Sequence, residues 1–162
     1  MKVYLSGQIH KGEAAFHYSQ QWREWAEEVC SKWGFTAVNP IADRLSTDDN
    51  YRSLIPDRDL MLLRDCDIMV VNWMKKVHSV GTAMEMVYAK MWDIPVVVFA
   101  DDVNDIPHLD RDPWIRQHNS CDFIRVFSLE NFEDVLDWFS SSTQTVNTND
   151  IYANCERKPS SF

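Results

Sequence analysis

Short apolar runs alternate along this chain with longer stretches of helical periodicity. Lys2 to Ser6, with Val3-Tyr4-Leu5 at its centre, reads as a strand that ends at Gly7. From about Ala14 to Trp33 the apolar residues Phe16, Trp22, Trp25, Ala26 and Val29 recur at steps of three, four or six, which suits one face of a helix. Gly34 follows as its C-terminal cap. Phe35–Val38 reads as a second strand, broken by Asn39-Pro40, and residues 40–56 as a polar, proline-punctuated loop. A helix is expected from Asp57 to Arg64, a third strand over Asp67–Asn72, a helix from Thr82 to Trp92 and a fourth strand over Ile94–Phe99. A short helix near Trp114–His118, a fifth strand over Phe123–Phe127 and a last helix over Leu129–Phe139 complete the pattern.

Strands alternating with helices imply right-handed crossovers and a parallel sheet. Continuous apolar runs such as Ile68–Val71 and Val96–Phe99 require that sheet to be covered on both faces. The expected fold is therefore α/β, a doubly wound five-stranded parallel sheet with helices on both faces. Its ligand crevice lies at the C-terminal ends of the strands, where the strand order reverses. That gathers Gly7 to His10, Asn72 to Gly81 and the loop after Phe99 around one site.

The 162 residues suit one domain, expected over 1–140, with a polar, flexible Ser-, Thr- and Asn-rich tail over 141–162. A net charge of −9 with no basic stretch argues against a nucleic-acid polymer as partner, although a local loop can still hold a small anion. Cys30, Cys66, Cys121 and Cys155 form no C-x-x-C pair, and reduced, intracellular thiols are expected. The histidines at 10, 17, 78, 108 and 118 have no metal-ligand spacing, so no metal is expected. No apolar segment approaches a membrane span.

The segment Ser79-Val80-Gly81-Thr82-Ala83-Met84-Glu85 stands out. A small, glycine-containing loop between a buried strand and a helix N-terminus lets an anion or a sugar meet backbone N–H groups. A glutamate in the first turn of that helix is expected to be ionised by the dipole, ready to serve as nucleophile or base. The same residues also read as a capping box, with Thr82 and Glu85 satisfying each other's backbone donors.

Three segments together resemble the nucleoside 2-deoxyribosyltransferase superfamily: Tyr4-Leu5-Ser6-Gly7-Gln8-Ile9, Asp59-Leu60 followed by Cys66-Asp67-Ile68-Met69-Val70-Val71, and Ser79 to Glu85. They fall in the right order, and the resemblance covers roughly residues 2–139. It implies a flavodoxin-like or Rossmann-like fold. It also implies that Glu85 attacks the anomeric carbon of a nucleoside or nucleotide sugar, forming a glycosyl-enzyme ester that water or a second base resolves. Positive charge builds on the sugar as the N-glycosidic bond breaks, and a carboxylate below the ring can capture it.

By the same resemblance, Asp59 helps to position or protonate the base, and the Tyr4 hydroxyl holds the nucleophile. Asp59 also reads as a first-turn acid of its helix. Gly7, Gln8, Ile9, His10, Ser79 and Gly81 are implied substrate-binding residues. Members acting on 5′-monophosphates carry serine at the place of Ser79, whereas members acting on free nucleosides often carry aspartate; Ser79 also reads as a loop or cap serine. His10 stands where the nucleotide hydrolases carry a phosphate-binding arginine, and Lys11 or Arg52 could substitute for it. Phe16 and Trp22 are candidates either for stacking on the base or for the core. Asn119 falls in the 112–119 stretch that family members lend to a neighbour's site. The implied protein is a cytoplasmic homo-oligomer acting on a small-molecule nucleoside or nucleotide, with no cofactor. Base release from a (deoxy)nucleoside 5′-monophosphate is the leading expectation. Base exchange between free deoxynucleosides is the alternative, and a non-catalytic nucleotide-binding or sensor domain is the rival of another class.

Overall fold

The computed structural model of this chain describes residues 1–9, 13–42, 54–73, 79–100, 124–127 and 129–142. Their elements are β1 (Lys2–Gly7), α1 (Glu13–Lys32), β2 (Thr36–Val38), α2 (Ile55–Arg64), β3 (Ile68–Trp73), α3 (Val80–Met91), β4 (Val96–Ala100), β5 (Ile124–Phe127) and α4 (Phe132–Ser142). A single 3-10 turn, Leu129–Asn131, leads into α4. The strands pair in parallel in the order β2-β1-β3-β4-β5. The chain leaves β1 towards β2 and returns on the other side as β3, so the order reverses between β1 and β3. Ligand crevices form beyond the C-terminal strand ends at such a reversal.

Alternation along the strands divides the core in two. Val3 and Leu5 join Ile68, Val70, Val97 and Phe99 against Trp22, Ala26 and Val29 of α1 and Phe132, Val135 and Leu136 of α4. Tyr4 joins Met69, Val71, Val96 and Val98 against Leu63 of α2 and Met86 and Ala89 of α3. Both strand faces are buried, which is why these strands read as unbroken apolar runs.

The helix ends follow local chemistry. Gly34, at φ 72, closes α1: Phe35 N–H reaches Cys30 O at 2.9 Å and Gly34 N–H reaches Ser31 O at 3.1 Å. This double bond pattern is a Schellman motif. The same pattern closes α3, with Ile94 N–H on Ala89 O at 2.8 Å and Asp93 N–H on Lys90 O at 3.2 Å. There the left-handed residue is Asp93, at φ 56, rather than a glycine.

Most boundaries shift by one to three residues from expectation, and three of the shifts have a local cause. α2 begins at Ile55, inside the expected loop, because Pro56 occupies its first turn, where a missing N–H costs nothing. α3 begins at Val80 rather than Thr82, because Ser79 caps it. α4 extends to Ser142, past the expected start of the polar tail, and Ser141 Oγ donates to Trp138 O at 3.0 Å within its last turn. The expected helix near Trp114–His118, most of the expected 40–56 loop and the tail beyond 142 lie outside the described residues. Among the described residues no helix is long and apolar enough to cross a membrane.

Candidate active site

Strand alternation puts Tyr4 and Ser6 on the same face of β1, near its C-terminal end and facing α3. Both meet Glu85. The Tyr4 hydroxyl donates to Glu85 Oε1 at 2.9 Å, and Ser6 Oγ donates to Glu85 Oε2. Each carboxylate oxygen therefore has a dedicated hydroxyl donor, which fixes the orientation of the group. Tyr4 is fully buried, and burial together with the Glu85 charge pushes its hydroxyl well above the ordinary range, so it remains a donor.

The placement of Glu85 corrects two expectations. It lies in the second turn of α3, not the first, and the first turn holds no acid. The helix dipole acts mainly within the terminal turn, so it is not what governs this carboxyl. Burial raises the Glu85 pKa above its ordinary value, and the Asp59 charge adds to the rise; the Ser6 and Tyr4 bonds and the Arg23 charge oppose it. Nor do Thr82 and Glu85 form a capping box. Thr82 N–H donates to Ser79 Oγ at 3.2 Å, and Thr82 Oγ1 donates to the same oxygen at 3.0 Å. Ser79, in extended conformation, is the cap. With both acceptor sites of its hydroxyl occupied, its own proton is what it has left to offer.

Asp59 sits in the second turn of α2, where Asp57 is the first-turn acid, so its expected dipole role also falls away. Its Oδ1 accepts from Arg58 Nη2 at 2.8 Å and Arg58 Nε at 3.1 Å, and Arg58 Nη2 also reaches Pro40 O at 2.6 Å. Burial raises the Asp59 pKa, and Arg58 and Arg23 pull it back.

A cleft of about 570 Å³ brings these groups together, and Ser6, Asp59, Ser79 and Glu85 all border it. That volume suits a small organic ligand. Gly7, Ile9 and Gly81 also line it. At Gly81 a Cβ would meet nothing nearer than Ser79 Oγ at 3.9 Å. Gly7 has a packing reason for being glycine: a Cβ would come within 3.0 Å of Trp22 Cζ2 and 3.1 Å of Asn72 O.

Gln8 does not border the cleft. Its carbonyl accepts from Ser19 Oγ at 3.2 Å, while its side-chain Oε1 is buried without a partner among the described residues. Asn72 packs behind Gly7, and its Nδ2 is likewise buried and unpartnered among them. Trp22 belongs to the core. His10, Lys11, Arg52 and Asn119 lie outside the described residues, as does the side chain of Phe16.

Two residues were not foreseen. Ser6 had a legible signal, since it stands two positions from Tyr4 on a strand and shares its face. Arg23 is 1% exposed and borders the cleft. Its signal was a charge on the buried stripe of α1, in step with Ser19, Ala26 and Cys30.

Comparison with known proteins bears on this geometry. The structure is similar to the 2-deoxyribosyltransferase of the psychrotolerant bacterium Bacillus psychrosaccharolyticus, at 17% identity and a TM-score of 0.59, over 93% of this chain and 96% of that one. It is similar to the Clostridium botulinum CMP N-glycosidase, at 11% identity and a TM-score of 0.53, over 87% and 99%. A conserved protein from Enterococcus faecalis V583 matches at 18% identity and a TM-score of 0.53, over 84% and 94%. At such identities these likenesses speak for the fold alone. No curated protein matches the chain. The sequence itself carries the pattern of one family over residues 3–153, beyond the stretch where the motifs lie, and by that match the chain belongs to the nucleoside 2-deoxyribosyltransferase family.

Proposed function

We propose that this protein cleaves the N-glycosidic bond of a (deoxy)nucleoside 5′-monophosphate, with Glu85 as nucleophile. The observation that carries the reading is the Glu85 carboxylate, held by Tyr4 and Ser6 on the wall of the cleft. A Glu85 oxygen bonds to the anomeric carbon as the carbon–nitrogen bond breaks, and the base leaves with a proton from Asp59. Water then attacks the same carbon, Glu85 departs as carboxylate, and the proton from water returns to Asp59. Burial suits both roles: it makes Glu85 a more basic nucleophile than a solvated carboxylate, and it favours the protonated form of Asp59. Tyr4 is a positioning residue, donating to the nucleophile without changing its own protonation.

The 5′-phosphate fits the start of α3. The N–H groups of Val80 and Gly81 have no intrahelical acceptor by helix geometry, and the Ser79 proton is available beside them.

A second reading, exchange of bases between free deoxynucleosides, is favoured by the acidity of the lining. Asp57, Asp59 and Glu85 border the cleft, and among the described residues the cation that borders it, Arg23, is bonded to backbone carbonyls. A neutral ligand meets less repulsion there than a phosphate. Under either reading the protein acts as a homo-oligomer.

Chromatography of free base released from ribo- and deoxyribonucleoside 5′-monophosphates, and from the matched nucleosides with and without an acceptor base, tests both. Release from monophosphates in water is expected. Glu85→Ala should lower it by about 10³-fold or more, in the manner of a lost nucleophile. Exchange confined to free nucleosides would replace hydrolysis by transfer. Ligand binding without turnover, unaffected by Glu85→Ala, would leave a binding domain.

A further inference from the structure

Arg23 takes no part in the reaction drawn above, yet it is among the largest fully buried side chains of the described residues. A buried guanidinium is costly unless its donors are satisfied. No described carboxylate forms an ion pair with it. Its donors go to the main chain instead: Nη1 to Ser19 O at 2.7 Å, Nη2 to Gly7 O at 2.8 Å and Nε to Leu5 O at 3.3 Å.

The sheet explains why those carbonyls await it. Along β1, alternate carbonyls point to opposite neighbours. Lys2 O accepts from Asp67 N–H on the β3 side, and Met1 O accepts from Thr36 N–H on the β2 side. Leu5 O and Gly7 O therefore face β2. But β2 stops at Val38, opposite Tyr4. Two residues further, the N–H due to Leu5 O would belong to Pro40, which has none. Arg23 stands in for the missing strand. Leu5 and Gly7 are the two neighbours of Ser6, whose hydroxyl holds Glu85.

We propose that Arg23 is a second positioning residue of this site: it clamps the carbonyls on either side of Ser6, so fixing the strand end that orients Glu85, and it sets a buried positive charge behind the carboxylates of the cleft. Among the described residues, the titratable groups that act on Arg23 are Glu85 on α3, Tyr4 on β1, Asp59 on α2 and Glu27 on its own helix. Among the same residues, Glu85 is acted on by the hydroxyls of Ser6 and Tyr4 and by the charges of Asp59 and Arg23. Burial lowers the Arg23 pKa to about 10, which leaves it charged at neutral pH. Lysine at this place keeps the charge but cannot bond three carbonyls in the plane of a guanidinium, whereas methionine loses both.

The kinetic arm of the test rests on Glu85 being the nucleophile; the titration arm does not. The Glu85 carboxyl is followed by NMR in protein labelled with ¹³C-glutamate, with Glu85→Gln giving the assignment, in wild type, Arg23→Lys and Arg23→Met. The midpoint should move to higher pH in Arg23→Met and stay close to wild type in Arg23→Lys. Base release should show a lower kcat in both variants, with KM little changed, and an acid limb that shifts only in Arg23→Met. Arg23→Gln takes the place of Arg23→Met if the latter does not fold. An unmoved Glu85 midpoint in the neutral variant, or full kcat in Arg23→Lys with only a lowered melting temperature, overturns the proposal. A midpoint that shifts in Arg23→Met while the wild type releases no base supports the charge role and refutes the N-glycosidase reading instead.

Discussion

Glu85 is bound by two hydroxyls and yet made harder to ionise, and the balance has a consequence for stability. Because burial raises its pKa in the folded state, the folded chain holds the carboxyl proton more tightly than the unfolded chain does. The stability that comes from this group is therefore complete below the unfolded value, about pH 4.3, and is lost as pH rises through the folded value. Glu85→Gln removes the titration. Calorimetry at neutral pH should find the variant melting above wild type, by about 2–4 °C if the relief is about 1 kcal/mol in a chain of this size. The gap should close as the pH is lowered towards 4, and a gap that widens on acidification would mean that the bonds from Tyr4 and Ser6 outweigh burial. Asp59, raised by the same cause, adds to wild-type instability in the same direction. A site that binds charge at the cost of stability is the usual exchange for function.

At the scale of elements, glycines and left-handed residues separate packing from permissiveness. Gly7 is where β1 passes against α1, and a methyl there would press on Trp22 and on the Asn72 carbonyl. Gly7→Ala should cost about 1–3 kcal/mol in chemical denaturation, as overpacking does. Gly81, in the first turn of α3, has open space around it, and Gly81→Ala should stabilise by about 0.5–1 kcal/mol through the helix propensity of alanine. It also puts a methyl on the cleft wall, so KM should rise while the melting temperature does too. At the other end of α3, Asp93 occupies the left-handed position that glycine fills at the end of α1. Asp93→Gly should gain up to about 1 kcal/mol, since a side chain in that conformation carries a steric penalty. Equal stability of the two proteins would show that this carboxylate pays its conformational cost through a bond of its own. Ser79 shows how a local motif can mislead. Two hydroxyl residues three apart compete to cap one helix, and the sequence reads equally well from Thr82; Ser79 caps because the extended backbone at that residue brings its Oγ to Thr82 N–H.

For the whole molecule, α3 lays Val80, Met84 and Met91 along one side, all exposed, and Val80 and Met84 also border the cleft. Apolar side chains spaced at four and seven along a helix form one stripe. If the protein acts as the proposed homo-oligomer through this stripe, light scattering should find more than one chain per particle, and Met91→Glu should shift the mass towards one without unfolding the chain. A monomeric wild type would remove the oligomer from the proposal. The order and type of the elements were legible in the chain because period, caps and turn residues act within a few positions of one another, and so were the family and Glu85, Asp59 and Tyr4 as candidates. What the sequence could not supply was the surroundings of those groups. Glu85 receives its hydrogen bonds from residues 81 and 79 positions away, and those partners become neighbours only when β1 and α3 pack on each other. Arg23 was visible only as a charge out of place on a buried helical face, and its partners are carbonyls left open by a strand that stops too soon. The sequence by itself thus determined which elements form and which carboxylates are available. The tertiary structure alone decided how far each carboxylate is desolvated and what holds it, because burial and hydrogen bonding depend on contacts between segments that lie far apart along the chain.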